Sequence, residues 1–391
     1  MPTTALPAAT LPTPSADAQA ASQELSRRIA LRIEAAGGWL PFFDFMDMAL
    51  HLPGLGYYAG GSQKFGEAGD FVTAPELTPL FGQALAAQVA EVLAAVSPAP
   101  TLLEVGAGSG KLAADLLLAL EAQGALPARY EILELSGELR ARQQATLAAS
   151  APHLADRVVW LDELPEKFSG CIIANELLDA LPTHAVAWRE SGLMERGVVL
   201  AENGFDWAER PPTGALAEAM TALPVDAAFE GEISLAARAW VAEWGHRLEH
   251  GALLLIDYGL PRRELYHPQR HRGTLRCHYR QRAHDNFFWW PGLSDITSHV
   301  DFTAVAEAGF AAGLDVLGYT NQANFLINCG IGELLMARQA DGGEQALRAS
   351  GAVKVLLAPG EMGELFKVIA LGQGIAAPLL GFRRGDQCHA L

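Results

Sequence analysis

The chain has 391 residues, of which 50% are hydrophobic and 19% are charged, and its formal net charge is −17. No apolar stretch approaches the roughly 20 residues that a transmembrane helix needs, and the negative charge disfavours nucleic acid and favours a basic protein segment as partner. The four cysteines lie far apart without metal-ligand spacing, which predicts free thiols and no metal site.

The first 22 residues are rich in Ala, Pro and Thr, a composition typical of a disordered tail. The first basic residue is Arg27, so neither a secretory signal nor an Arg-rich mitochondrial presequence fits. We therefore expect a cytoplasmic bacterial protein. A location in the mitochondrial matrix is expected only if the source is eukaryotic.

Residues 23–97 are predicted to form an N-terminal helical region, because apolar residues recur there with helical spacing in three segments. Before the third segment, the stretch GYYAGGSQKFGEAGDFVTAPEL is rich in glycine and predicts a long loop. Loops of this length are typically functional lids or disordered.

Residues 98–391 are predicted to form an α/β domain, because short apolar strands alternate with helices. This alternation predicts a parallel sheet of seven strands with helices on both faces. Two insertions, at about 183–250 and 260–300, interrupt the order. The predicted strands in chain order are TLLEV, YEILEL, RVVWL, GCIIA, ALLLIDYG, LDVLGYT and LFKVIALG.

The first predicted strand runs into EVGAGSGKL, a glycine-rich turn that lets a ligand approach the backbone at a helix N-terminus. A phosphate-binding loop would need Gly in place of Val105, and a dinucleotide motif would need Gly in place of Lys111, so ATP and NAD fit poorly. The spacing ExGxGxG resembles the first motif of class I S-adenosylmethionine-dependent methyltransferases. The candidate cofactor residues in this motif are Glu104, Gly106, Ala107, Gly108 and Gly110.

Further candidate cofactor residues follow the next three predicted strands. Glu134 and Leu135 end the second strand, where a carboxylate can accept hydrogen bonds from both ribose hydroxyls. Asp162 follows the third strand, where such folds often meet the adenine amino group, but a solvated loop acid or a helix cap fits Asp162 equally well. Asn175 ends the fourth strand and should face the sulfonium methyl group, because ligands lie outside the carboxyl ends of the strands.

Five segments together resemble the MidA family, which comprises the mitochondrial complex I assembly factor methyltransferases and their bacterial relatives. They are GDFVTAPELTPLFG, LLEVGAGSGKLAADLL, ANELLDALP, LLLIDYG and the block at 273–304. The resemblance implies a class I, Rossmann-like methyltransferase with a helical N-terminal part and insertions, and S-adenosylmethionine as cofactor. For the mitochondrial members it also implies methylation of an arginine in a core subunit of NADH:ubiquinone oxidoreductase. Through the first segment it adds Thr73, which would reach the cofactor or the substrate.

The stretch NELLDALP contains the candidate catalytic residues Glu176, Asn175 and Asp179. A carboxylate that grips a guanidinium can align one of its nitrogens with the leaving sulfur, so Glu176 is predicted to orient an arginine. Because helical residues three apart share a face, Asp179 would join Glu176 in the site. Alternatively, Asp179 only stabilises the first turn of a short helix that Pro182 ends.

The leading hypothesis is therefore an S-adenosylmethionine-dependent protein arginine methyltransferase linked to complex I assembly, with a complex I core subunit as partner. One alternative is a methyltransferase that acts on a small molecule. The other is an assembly chaperone that keeps a cofactor pocket as a relic. An oligomer is compatible with the sequence.

Overall fold

A computed structural model describes residues 11–60, 73–96, 98–226, 228–340 and 342–391. Residues 61–72 of the predicted glycine-rich loop and residues 1–10 of the predicted tail lie outside this part of the chain. The described residues divide into two compact units. We call residues 11–60, 179–239 and 260–301 the insertion unit, and residues 73–178, 240–259 and 302–391 the sheet unit.

In the described part of the chain, the α-helices have the following bounds. They are α1 (Ala16–Ala35), α2 (Phe42–His51), α3 (Ala74–Leu77), α4 (Pro79–Ala95), α5 (Lys111–Ala122), α6 (Gly137–Ser150), α7 (Gly214–Thr221), α8 (Leu235–Arg247), α9 (Arg262–Leu265), α10 (Phe302–Ala311), α11 (Gln322–Asn328), α12 (Ile331–Ala340), α13 (Gly343–Leu357) and α14 (Met362–Leu365). None of the helices described in this way is long and apolar enough to span a bilayer.

The β-strands of the same residues have the following bounds. They are β1 (Leu40–Pro41), β2 (Thr101–Val105), β3 (Arg129–Leu133), β4 (Val158–Leu161), β5 (Phe168–Asn175), β6 (His184–Arg189), β7 (Gly192–Ala201), β8 (Gly204–Arg210), β9 (Phe229–Ile233), β10 (Leu248–Leu260), β11 (Arg276–Tyr279), β12 (Arg282–His284), β13 (Asp295–Thr297), β14 (Val300–Asp301), β15 (Asp315–Asn321) and β16 (Phe366–Gln373).

The sheet unit contains the predicted α/β sheet. Its strands follow the order β15-β16-β10-β5-β2-β3-β4. Strands β4, β3, β2, β5 and β10 pair in parallel, whereas β16 is antiparallel to both β10 and β15. The seven predicted strands are therefore confirmed, and the prediction of a parallel sheet is wrong for the last of them. Because β16 lies between two strands, its backbone forms hydrogen bonds on both sides.

Helices cover both faces of this sheet. Because successive residues of a strand point to opposite faces, the contacts of its side chains show which helix covers which face. On one face, Leu254 and Val368 belong to a core with Phe81 of α4. On the other face, α10 packs so closely that a Cβ on Gly309 would lie 2.8 Å from Cδ1 of Leu371. The carboxyl ends of the parallel strands are left for the loops that carry the candidate site.

The insertion unit combines the first two helices with residues 183–239 of the first predicted insertion and with the second one, whereas residues 240–250 belong to the sheet unit. Its larger sheet has the order β1-β7-β6-β9, with β8 on the edge of β7, and its smaller sheet has the order β12-β11-β13. Ile29 of α1 and Phe45 of α2 share a core with Val198 of β7. The division of the chain therefore differs from the predicted one, because Leu40 pairs with Val198 across a long sequence separation.

The predicted N-terminal region is also divided differently from the expectation. Residues 73–96, with α3 and α4, belong to the sheet unit. The expected disordered tail of 22 residues is too long, because α1 begins at Ala16. The hydroxyl of Ser15 accepts a hydrogen bond from the backbone N–H of Ala18, which satisfies a donor that the first helical turn leaves free.

Candidate active site

The glycine-rich turn joins β2 to α5 at the carboxyl edge of the sheet. Gly106, Gly108 and Gly110 have φ angles of 72°, 51° and 81°, which residues with a side chain rarely adopt. A Cβ on Gly106 would lie 3.1 Å from Cδ1 of Leu177, and a Cβ on Gly110 would lie 2.9 Å from Cα of Gln143. The glycines therefore allow both the shape of the turn and its close approach to neighbouring segments.

Gln143 of α6 connects the turn to the ends of two further strands. Its Nε2 donates to the carbonyl of Gly108 over 3.2 Å and to Oε2 of Glu134 over 3.1 Å. Its Oε1 accepts a hydrogen bond from Nε1 of Trp160 over 2.9 Å. The side chain is fully buried, and the sequence contained no signal for this role, since glutamine in a helix is usually solvated.

Glu134 lies just beyond β3 and has acceptor capacity left for a ligand. Its Oε1 accepts from the backbone N–H of Ser136 over 2.9 Å, in addition to the bond from Gln143 to its other oxygen. Burial raises the pKa of Glu134, against the opposing effect of these bonds. The next side chain, Leu135, is 79% exposed, so an apolar surface lies beside the carboxylate.

Glu104 lies inside the sheet, next to the turn. It is 3% exposed, and its Oε2 accepts a hydrogen bond from the hydroxyl of Tyr130 over 2.5 Å. Burial raises the pKa of Glu104 to about 7, although the bond from Tyr130 opposes this shift. A cationic ligand group nearby would favour the ionised carboxylate.

Asp162 follows β4 and is the most solvated of the predicted cofactor residues with a carboxyl group. Its side chain is 88% exposed and pairs with Arg140 over 2.7 Å. No helix lies between β4 and β5 among the described residues, so the helix-cap alternative is wrong. Arg140 itself donates to the carbonyls of Glu134 and Leu161 and so joins the ends of β3 and β4.

Thr73 directly precedes α3, and its carbonyl accepts a hydrogen bond from the N–H of Glu76 over 3.0 Å. The carboxylate of Glu76 in turn accepts a hydrogen bond from the hydroxyl of Ser109 in the glycine-rich turn. Thr73 therefore starts a short segment that is attached to the turn. No cluster of three metal-ligating side chains occurs within the described ranges.

Asn175 and Glu176 lie at the carboxyl end of β5 and interact with each other. Nδ2 of Asn175 donates to Oε1 of Glu176 over 3.0 Å, while Oδ1 of Asn175 is buried and accepts no hydrogen bond from the described residues. Glu176 has a φ of 53°, an unusual value for a residue other than glycine. Its N–H donates to the carbonyl of Ile256 in β10 over 2.9 Å.

The prediction of a short helix in NELLDALP is wrong, because residues 176–183 form bends and turns. The positive φ of Glu176 is incompatible with a right-handed helix, and β10 binds the N–H groups of Glu176 and Leu178. Glu176 and Asp179 therefore share no helix face, and Asp179 starts no helix. Asp179 belongs to the insertion unit, where it is 5% exposed and its carbonyl accepts from the N–H of Ser298.

Asp257 of β10 is a residue that sequence analysis missed. It is 1% exposed, and its Oδ2 accepts from the N–H of Leu178 over 2.8 Å while its Oδ1 accepts from the N–H of Tyr258 over 2.9 Å. Its signal was available, since Asp257 follows the apolar run LLLI as Asn175 follows CIIA.

Residues 84–320 match the family model described as "Putative S-adenosyl-L-methionine-dependent methyltransferase". The chain belongs to this family. A relative of this methyltransferase, "Protein arginine methyltransferase NDUFAF7, mitochondrial" from Mus musculus, is 30% identical over 88% of this chain and 83% of that protein. The homologue from Drosophila melanogaster is 26% identical over 95% of this chain and 91% of that protein.

A crystal structure of a protein from Burkholderia thailandensis bound to S-adenosyl-homocysteine is also similar to this methyltransferase. The TM-score is 0.94 and the sequence identity 49%, over 98% of this chain and all of that chain. These findings confirm the predicted family, the fold class and S-adenosylmethionine as the cofactor. The chain is an S-adenosylmethionine-dependent methyltransferase.

Proposed function

We propose that this methyltransferase acts on an arginine side chain of a protein. The observation that carries the proposal is the pair Asn175–Glu176, which offers a carboxylate next to a buried amide oxygen that accepts no hydrogen bond from the described residues. A guanidinium has five N–H donors in a planar fork and no acceptor, so it complements a site made of acceptors. These two hydrogen-bond acceptors therefore favour a methyl acceptor that is cationic and carries several N–H donors.

The names of the relatives support this proposal, because they describe protein arginine methyltransferases of mitochondria. The resemblance to the MidA family adds a core subunit of NADH:ubiquinone oxidoreductase as substrate. The net charge of −17 suits a basic protein partner. In a bacterial cell we propose the cytoplasm as the location of the reaction.

The residues at the strand ends fit S-adenosylmethionine as we propose it to bind. The glycine-rich turn presents backbone without side chains at the exposed Gly106 and the half-buried Gly108, and Glu134 retains lone pairs for ribose hydroxyls. The exposed Leu135 offers an apolar surface for the adenine ring, and Glu104 offers a carboxylate that is complementary to an ammonium group. Asp162 and Thr73 remain candidate cofactor-binding residues.

When bound, the cofactor supplies an electrophilic methyl group on a sulfonium. The contribution of Glu176 is then to hold the guanidinium so that one nitrogen lone pair points along the line of attack. Its carboxylate keeps positive charge on the other nitrogens through charge-assisted hydrogen bonds. As the nitrogen–carbon bond forms, the sulfur–methyl bond would break and S-adenosyl-homocysteine would leave as a neutral thioether. The attacking nitrogen would lose one proton to water, and no covalent intermediate on the chain is needed.

Methyl-labelled cofactor and complex I purified from cells that lack this protein test the proposal. We expect Glu176→Gln to lower the transfer of label to arginine by about 100-fold, because an amide cannot hold the guanidinium as a charged acceptor and misplacement costs about this factor. Titration calorimetry with S-adenosyl-homocysteine should give an unchanged affinity. Glu344→Gln is the matched control, because Glu344 is 76% exposed on α13, and it should transfer like the wild type.

Two results would contradict the proposal. Label on metabolites and none on protein would indicate a methyltransferase for small molecules. Rescue of complex I assembly by a variant that binds no cofactor would indicate a chaperone. An equal loss of cofactor binding and transfer in Glu176→Gln would instead assign Glu176 to the cofactor site.

A further inference from the structure

Asp257 is a buried acid that accepts hydrogen bonds from two backbone N–H groups and lies next to the proposed acceptor site. It lies on β10, which pairs in parallel with β5 so that Ile256 is opposite Asn175. The carboxylate is 1% exposed, and each of its oxygens accepts a hydrogen bond from a backbone N–H. Through these bonds it acts on the residues that it holds.

The carboxylate of Asp257 connects two chain segments that leave the sheet side by side. One oxygen accepts from the N–H of Leu178, two residues after Glu176, and the other accepts from the N–H of Tyr258 on its own strand. A third bond, from the N–H of Glu176 to the carbonyl of Ile256, fastens the same segment to β10. Residues 176–178 are thus held at both ends by one strand.

These bonds act on a residue with an uncommon backbone conformation. Glu176 has a φ of 53°, which costs free energy for any residue with a Cβ and persists only where the surroundings enforce it. With the bond to Leu178 removed, residues 176–178 would be free to relax towards the common conformations. The direction of the Glu176 side chain would change with the backbone.

We infer that Asp257 is a positioning residue for methyl transfer, which fixes the segment 176–178 and thereby the direction in which Glu176 presents its carboxylate to the methyl acceptor. This inference rests on the proposed role of Glu176. It adds a residue that acts through the backbone of this segment. The two oxygens have separate functions, since one holds the acceptor segment and the other holds β10 itself.

Two substitutions test this role. Asp257→Ala removes both acceptors. Asp257→Asn keeps the size of the side chain, but its amide oxygen can accept only one of the two N–H groups, and its NH2 group faces the other. We expect kcat/KM for label transfer to complex I to fall by about 100-fold in Asp257→Ala, with a smaller loss in Asp257→Asn, because small displacements of a positioned group cost about this factor.

Hydrogen–deuterium exchange of the full chain supplies a readout that does not depend on activity. The amides of residues 176–178 should exchange faster in Asp257→Ala, while the affinity for S-adenosyl-homocysteine stays unchanged. Glu232→Gln is the matched control. Glu232 is also a buried carboxylate that accepts from two backbone N–H groups, those of Thr274 and Leu275, but it lies in the insertion unit. It should leave exchange at 176–178 and the transfer rate as in the wild type.

Unchanged exchange at residues 176–178 in Asp257→Ala would overturn the inference, as would a loss of S-adenosyl-homocysteine binding equal to the loss of transfer. Failure of the proposed function has a different signature. If Glu176→Gln transfers label at the rate of the wild type, the role of Glu176 is wrong, whereas faster exchange in Asp257→Ala would still show that Asp257 holds the segment.

Discussion

Gly110 allows a direct test of how the glycine-rich turn is built. Gly110 directly precedes α5 with a φ of 81°, and a Cβ at this position would lie 2.9 Å from Cα of Gln143. Gly124 lies just beyond the other end of the same helix with a φ of 65°, and nothing lies within 4 Å of a Cβ there. Gly110→Ala and Gly124→Ala therefore share the backbone strain, and only the first adds a collision.

The magnitudes follow from these two terms. The left-handed conformation costs an alanine roughly 1–2 kcal/mol, and the loss of glycine flexibility in the unfolded chain opposes this cost similarly at both positions. Overpacking adds about 1–3 kcal/mol for Gly110→Ala alone. Both glycines lie in the sheet unit, so the same urea-unfolding transition reports on both variants. It gives the difference in the free energy of unfolding between them.

Cofactor affinity should separate the variants further, because Gln143 also donates to Glu134. A hydrogen bond to a charged group contributes about 1.5–3 kcal/mol, so displacement of Gln143 should weaken S-adenosyl-homocysteine binding about tenfold or more in Gly110→Ala. Gly124→Ala should bind like the wild type in titration calorimetry. Equal losses of stability in both variants, or full affinity in Gly110→Ala, would refute the reasoning.

Two further predictions concern the acids of the site. The carboxyl of Glu104 has a pKa of about 7 in the folded chain and an ordinary value of 4.5, so between these pH values it takes up a proton when the chain folds. The free energy of unfolding should therefore fall by about 3 kcal/mol as the pH rises through this window, and Glu104→Gln should lack this part of the slope in urea titrations. Asp162→Ala removes an exposed ion pair and should change the free energy of unfolding by less than about 1 kcal/mol. Weaker binding of S-adenosyl-homocysteine in calorimetry would then support the contact of Asp162 with adenine, and unchanged binding would contradict it.

The strand ends of the site were predictable from the sequence because each follows an apolar run. Glu134 and Asn175 were assigned to one edge on this ground, and the parallel pairing of β3, β2 and β5 brings their ends together there. The glycine-rich turn was likewise predicted between a strand and a helix, and it joins β2 to α5. These features depend on residues that are close in sequence or on a regular alternation of elements.

The features that sequence analysis missed depend on distant partners. NELLDALP has the local pattern of a short helix, but Ile256 and Asp257, about 80 residues later, bind its N–H groups instead. The division into two units follows from the pairing of Leu40 with Val198, which no local pattern encodes. Local preference is weak compared with such tertiary contacts, so the errors fall where segments from far apart meet.

Arg140 and Asp257 lie at strand ends of this site for the same physical reason. Where a parallel strand stops, its last carbonyl and the next N–H lose their partners in the sheet, and each needs another hydrogen bond if it is buried. Arg140 supplies donors to the carbonyls of Glu134 and Leu161, and Asp257 supplies an acceptor to the N–H of Leu178. Because a ligand of this fold binds at those same strand ends, the residues that satisfy the backbone also set the positions of the residues that face the ligand.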